Sequence, residues 1–246
     1  AAAKNAESIA AQALPMHAFA RPFPADDTRP RIALVMRGMG LSSSSTQLAL
    51  DLLPADVTLS FVPYPNNLES WASEARQKGH EIILELPMEP FDYPENDPGP
   101  YTLLTGIEPA ENAARLQWLL GRFTGYVGVT NYLGSKFMRD SDSLQRKGVL
   151  FLDDGSSQKA LLRNISEQNG LVWSFADREL TFASDNAVEL DLQDLENLAE
   201  RNGYAIGTGF AFPVTIARIA EWASTLERRG IVLAPLTAVV VPSPQS

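Results

Sequence analysis

The chain reads as an α/β protein, an irregular (β/α) barrel of about seven parallel strands. After Pro30, short apolar runs rich in β-branched residues alternate with amphipathic stretches of helical period down to the end of the chain. Several of those runs are apolar throughout, as strands covered on both faces must be. The first run ends in RGMGLS, whose glycines stand two apart with no third at the spacing of a dinucleotide-binding loop, which favours the barrel over a doubly wound sheet.

The strands are expected at IALVM (32–36), VTLSF (57–61), HEIILEL (80–86), YVGVT (126–130), VLFLD (149–153), LVWSF (171–175), YAIGT (204–208) and IVLAP (231–235). Helices are expected between them. SSSTQLALDLL follows serines able to cap it, and NLESWASEARQKG, SQKALLRNISEQNG and LQDLENLAERNG each run to a glycine that can end a helix. EPAENAARLQWLLGRF is a further helix, and PVTIARIAEWASTLERRG starts with proline in the first turn, where its missing N–H costs nothing, and also runs to a glycine. The stretch from Pro87 to Gly106 is too proline-rich for a helix or an interior strand and is expected to wrap one end of the barrel as an ordered loop.

The folded domain is expected over residues 31–241, preceded by an Ala- and Pro-rich linker at 1–30 and followed by a tail at 242–246. That linker composition suggests a chain that once followed a membrane anchor, the only membrane contact expected. The 246 residues carry a formal charge of −10 and no basic stripe, so a phosphate backbone would be repelled and nucleic acid is not an expected partner. With no cysteine, thiolate metal sites, disulfides and thiol nucleophiles are excluded, and the composition suits an oxidising compartment such as the periplasm.

In a parallel barrel, chemistry collects where strands end and loops begin. Those places hold Arg37 and Gly38, Tyr64, Glu85 and Glu89, Asn131 and Tyr132, Ser135 and Lys136, Asp153 and Asp154, Asp177, and Phe210. Here ELPMEPFDYPENDPGPYTLLTG, GRFTGYVGVTNYLGSKF, VLFLDDGSS and ERRGIVLAPLTAV, in this order and spacing, resemble the divergent polysaccharide deacetylase family. The resemblance spans roughly Arg31 to Val240 and implies a polysaccharide-deacetylase-like barrel on a bacterial envelope protein.

Active polysaccharide deacetylases hold a divalent metal with an Asp and two His, with another Asp as base and a His as acid. Where the resemblance places Asp-Asp-Leu-Gly, this chain has Arg37, Gly38, Met39 and Gly40; where it places Asn-His-Met-Gly-Ser, it has Asn131, Tyr132, Leu133, Gly134 and Ser135. Phe210 stands at an expected histidine, and Glu85 stands where relatives can carry one. Of the chain's two histidines, His17 lies in the linker and His80 opens a strand, at the end of the barrel away from the loops. No metal, other cofactor or catalytic residue is therefore expected.

Two readings of Arg37 remain open: an internal pair with Asp153 or Glu85 that replaces a metal's charge, or a planar donor for an anionic or sugar ligand. The favoured function is a catalytically degenerate envelope protein that binds a glycan or peptidoglycan fragment or an envelope protein. Its binding residues would be Arg37, Tyr64, Glu85, Glu89, Asn131, Tyr132, Ser135, Lys136, Asp153, Asp154 and Phe210. The alternative is a hydrolase or deacetylase with a histidine-free carboxylate site, which would need an acid and a second carboxylate facing one cleft. Carboxylates alone could also hold calcium or magnesium.

Overall fold

The computed structural model describes residues 15–140, 150–155, 172–181 and 184–240. After a short helix α1 (Pro15–Ala18), the chain runs β1 (Arg31–Met39), α2 (Ser43–Leu52), β2 (Thr58–Phe61), α3 (Leu68–Gln77), β3 (Ile82–Met88), α4 (Pro109–Leu120) and β4 (Gly128–Leu133). It continues through α5 (Phe137–Asp140), β5 (Leu150–Asp153), β6 (Trp173–Phe175), β7 (Arg178–Glu179), α6 (Asp185–Asn202), β8 (Tyr204–Phe210), α7 (Pro213–Leu226), β9 (Val232–Leu233) and α8 (Leu236–Val240). The helix expected over 157–170 and the tail at 242–246 lie outside the described residues.

Local chemistry sets the helix ends. The Ser42 and Ser184 hydroxyls accept the first free amides of α2 and α6, from Ser45 and Ala187. Gly203, at φ +83, turns α6 directly into β8. One expectation is corrected: β3 runs on through Pro87 and Met88. Proline costs the sheet only a donor, and the Pro87 carbonyl still accepts the Leu103 amide at 2.9 Å.

All pairings in the sheet are parallel, in the order β6-β5-β4-β3-β2-β1-β8-β7, so the sheet curls into a barrel flanked by helices. Its two ends belong to one stretch of chain. Residues 173–175 pair with β5 and residues 178–179 with β8, so the two-residue step between them joins the edges. Asp177 serves that step, its amide donating to the Ile206 carbonyl at 2.7 Å and its carboxylate accepting the Ile206 amide at 2.9 Å. β9 pairs the first two residues of β1 on the edge that β2 reaches only from Val35 onward.

Alternation along the strands divides the apolar residues into two clusters. Ile32, Leu34, Met36, Leu59, Phe61, Leu84, Phe151 and Ala205 pack outward under the helices; Ala33, Val35, Ile83, Leu150, Leu152 and Ile206 fill the barrel. Met16 and Leu236 join the inner set, so the segments that carry them, α1 and α8, stopper the barrel's N-terminal end. There Glu81 is fully buried and accepts the amides of Arg21 (2.9 Å) and Thr237 (3.1 Å) and the Thr237 hydroxyl. Burial pushes its carboxyl above the ordinary range against those donors. Residues 15–30 thus run against the barrel wall rather than away from it. His80 is buried at this same end, its Nδ1 2.8 Å from the Val57 carbonyl oxygen, and burial lowers its pKa.

Candidate functional site

Register decides which side chains reach the barrel mouth. Paired residues of a parallel sheet point to the same face, so the partners of Val35 and Arg37 carry the inner face from strand to strand. Thr58 pairs with Val35, Ser60 with Ile83, Glu85 with Thr130, Pro87 with Tyr132 and Thr130 with Leu152. On the other side of β1, Thr208 pairs with Val35 and Phe210 with Arg37, and Glu179 pairs with Thr208. The upper barrel is therefore lined by Arg37, Ser60, Glu85, Thr130, Asp154, Thr208 and Glu179, a polar layer above an apolar one.

Arg37 stands at its centre with its side chain only 3% exposed. Nη1 lies 3.1 Å from Asp154 Oδ2 and 3.9 Å from Glu179 Oε1, Nη2 donates to the Asn131 carbonyl at 3.1 Å, and the guanidinium lies 5.0 Å from the Phe210 ring centroid. Glu85, fully buried, accepts the Gly38 amide at 2.7 Å. Burial pushes its carboxyl above the ordinary range, and the Arg37 charge, the Gly38 amide and the Ser60 hydroxyl pull it partway back. Gly38, at φ +74, lets the chain present that amide: a Cβ there would meet Leu41 and Phe210 at 3.3 Å.

Asn131 holds the β4 corner by its side chain, accepting the Asp154 amide at 3.0 Å and donating to the Leu133 carbonyl at 2.8 Å. Beside it a second network ties the long loop down. Lys136 Nζ lies 2.6 Å from Glu89 Oε1, while Glu89 Oε2 accepts the Thr105 amide (2.6 Å) and hydroxyl (2.7 Å). Burial alone would raise the Glu89 carboxyl, but Lys136 and the Thr105 donors outweigh it and hold it below the ordinary value. Ser135 accepts the Phe91 amide at 3.2 Å.

Of the residues picked out by sequence, Arg37, Glu85, Asn131, Asp154 and Phe210 come together at the centre; Glu89, Ser135 and Lys136 form the loop clamp beside them. Tyr132 is half-buried at the rim on the inward face. Tyr64 lies apart, packed on Gly99 and 6.3 Å from the Trp118 ring, and burial pushes its phenol up to about 12. Asp153 follows Phe151 on the outer face, where its Oδ1 accepts the Gly155 amide at 2.7 Å. The pleat thus turns Glu85 and Asp153 to opposite sides of the sheet, and the partner of Arg37 is Asp154. Sequence reasoning missed Glu179, since β7 is two residues long and shows no period; the alternation of Asp177 and Glu179 is its only signal.

A histidine-bound metal does not fit here. A guanidinium, a phenol and a phenyl ring, from Arg37, Tyr132 and Phe210, stand where the ligand set would be expected, and each is built into the geometry just described. Among the described residues, no three or more His, Cys, Asp or Glu side chains are grouped to hold a metal ion. No helix among them is long and apolar enough to cross a membrane.

A solved structure of an uncharacterized protein from Agrobacterium tumefaciens C58 is similar to this chain at 40% identity and TM-score 0.88, covering 92% of this chain and 95% of that one. An uncharacterized protein of Haemophilus influenzae is 23% identical over 197 residues, 76% of this chain and 69% of its own length. The catalytic domain of a peptidoglycan N-acetylglucosamine deacetylase from Eubacterium rectale shares the fold at TM-score 0.54 and 15% identity, covering 92% of this chain and 95% of that one. The model of the divergent polysaccharide deacetylase family matches residues 34–240, from within β1 to the end of α8. The chain belongs to the divergent polysaccharide deacetylase family.

Proposed function

We propose that this protein is a non-catalytic member of its family that binds glycan strands of the bacterial envelope, peptidoglycan foremost, at the C-terminal mouth of the barrel and from the periplasmic side. One observation carries the reading: the centre of the site is filled by the Arg37 guanidinium, 3% exposed and committed to Asp154 and the Asn131 carbonyl. A group so placed supplies a fixed charge and a rigid floor, but cannot bind or activate water as an open metal position does. Around that floor, the half-buried rings of Tyr132 and Phe210 and the exposed ring of Phe212 suit the apolar faces of pyranose units. The carbohydrate character of the family and the peptidoglycan deacetylase of the same fold support a glycan as ligand.

The rebuilt-enzyme alternative is weakened by the sheet itself, since Glu85 is sealed inside the barrel and Asp153 faces away from it. Titration of the purified chain with soluble murein fragments tests the proposal. Tyr132→Ala combined with Phe210→Ala is expected to weaken binding about tenfold or more while the far-ultraviolet circular dichroism stays unchanged. Undiminished binding by that folded variant would move the site elsewhere.

A further inference from the structure

The charges left open at the mouth name the class of sugar it takes, an inference that rests on the glycan reading above. Arg37 is spent on Asp154 and Asn131, and Lys136 is bonded to Glu89 at 2.6 Å. Arg139, on α5 three residues beyond Lys136, is exposed. Glu179 is differently placed. Its side chain is 52% exposed, and its approach to Arg37 is 3.9 Å, an ion pair too long to be a hydrogen bond. Glu179 shares the Arg37 guanidinium with the nearer Asp154 carboxylate, so among the described residues it has no close cation of its own.

Polar and apolar groups of the right kind flank that carboxylate. Thr208, its register partner, is fully buried on the inward face, and its hydroxyl has no hydrogen-bond partner among the described residues. Two residues on, the Phe210 ring lies 6.3 Å from that of Phe212, which is exposed, and the exposed Leu41 also comes up beside Gly38. An acceptor with spare charge beside an aromatic edge is the pattern that recognises an organic ammonium on an apolar ring.

We propose that the mouth selects amino sugars whose amine is free and protonated, the de-N-acetylated units of a glycan, with Glu179 receiving the ammonium and the Phe210–Phe212 edge receiving the pyranose face. An N-acetylated unit presents a neutral amide there. It would cover the carboxylate without returning a charge-assisted bond, and that desolvation counts against it.

The test is calorimetric titration of the whole chain with a β-1,4 glucosamine tetramer and with its fully N-acetylated counterpart, in buffer of moderate ionic strength. The free-amine tetramer is expected to bind at least about tenfold more tightly, the worth of one charge-assisted hydrogen bond. Glu179→Gln should bring the two tetramers to within about twofold of each other. Glu189→Gln, which makes the same change of net charge on an exposed part of α6, should leave the preference in place. Equal affinities in the parent overturn the amine assignment and leave the glycan reading standing. A preference lowered equally by both substitutions reports diffuse attraction to an acidic protein and overturns the site. If neither tetramer binds, the glycan reading falls, and this inference with it.

Discussion

Replacing Arg37 by alanine removes the guanidinium that the structure places among Asp154, Glu179 and Glu85. The guanidinium is 3% exposed and its Asp154 partner 10% exposed, so solvent screens the pair little. Breaking a buried pair by deleting one partner costs about 3–5 kcal/mol, because the remaining charge stays buried. For a chain of this size that corresponds to a fall in Tm of about 6–20 °C.

The loss should depend on pH through Glu85. Burial already raises that carboxyl, and Arg37 is among the groups holding it down, so in the variant it rises further. A carboxyl whose pKa is raised by folding binds its proton more tightly in the folded chain. Stability therefore falls as pH climbs from the unfolded value towards the folded one. Urea unfolding should show Arg37→Ala losing more at about pH 8 than at about pH 5. Adding Glu85→Gln should recover about 1–3 kcal/mol at the higher pH. A loss below about 1 kcal/mol at both pH values would refute the assignment of Arg37 as the internal counter-charge.

Two further substitutions test the frame around the site. Gly134, at φ +97, has the Met88 Cβ 2.7 Å from where its own would stand, so Gly134→Ala should cost about 2 kcal/mol in chemical unfolding and loosen the corner that carries Ser135 and Lys136. Glu81→Ala should cost about 2–3 kcal/mol by stranding the amides of Arg21 and Thr237 and the Thr237 hydroxyl. Limited proteolysis should then cut the segment before Arg31 faster than in the parent; an unchanged cutting rate would mean that Glu81 does not hold that segment to the barrel.

Patterns carried within five to fifteen residues were legible without coordinates. Uniform apolar runs located β1, β2, β3 and β8 to within a few residues, because a strand covered on both faces has no polar side to hide. Serines, prolines and glycines marked helix ends because the free backbone groups there need those residue types. The missing histidines followed from residue type alone, and so did the expectation of a site without metal.

Parity and distance along the chain lay beyond such reading. Asp153 and Asp154 are neighbours in sequence, yet only the pairing of β4 with β5 decides that Asp154 meets Arg37 while Asp153 turns outward. A shift of one residue would have exchanged them. Glu179 and Arg37 stand far apart in sequence and meet only because the segment from Trp173 to Glu179 spans the two edges of the sheet. Met16 lies in a stretch whose composition reads as linker, and it is buried because the open end of a barrel must be filled by whatever chain passes nearby. Residue chemistry by itself determined that this barrel has parallel strands and no histidine at its mouth. Tertiary structure alone decided which charges face one another there, because that depends on register and closure, which no local pattern encodes.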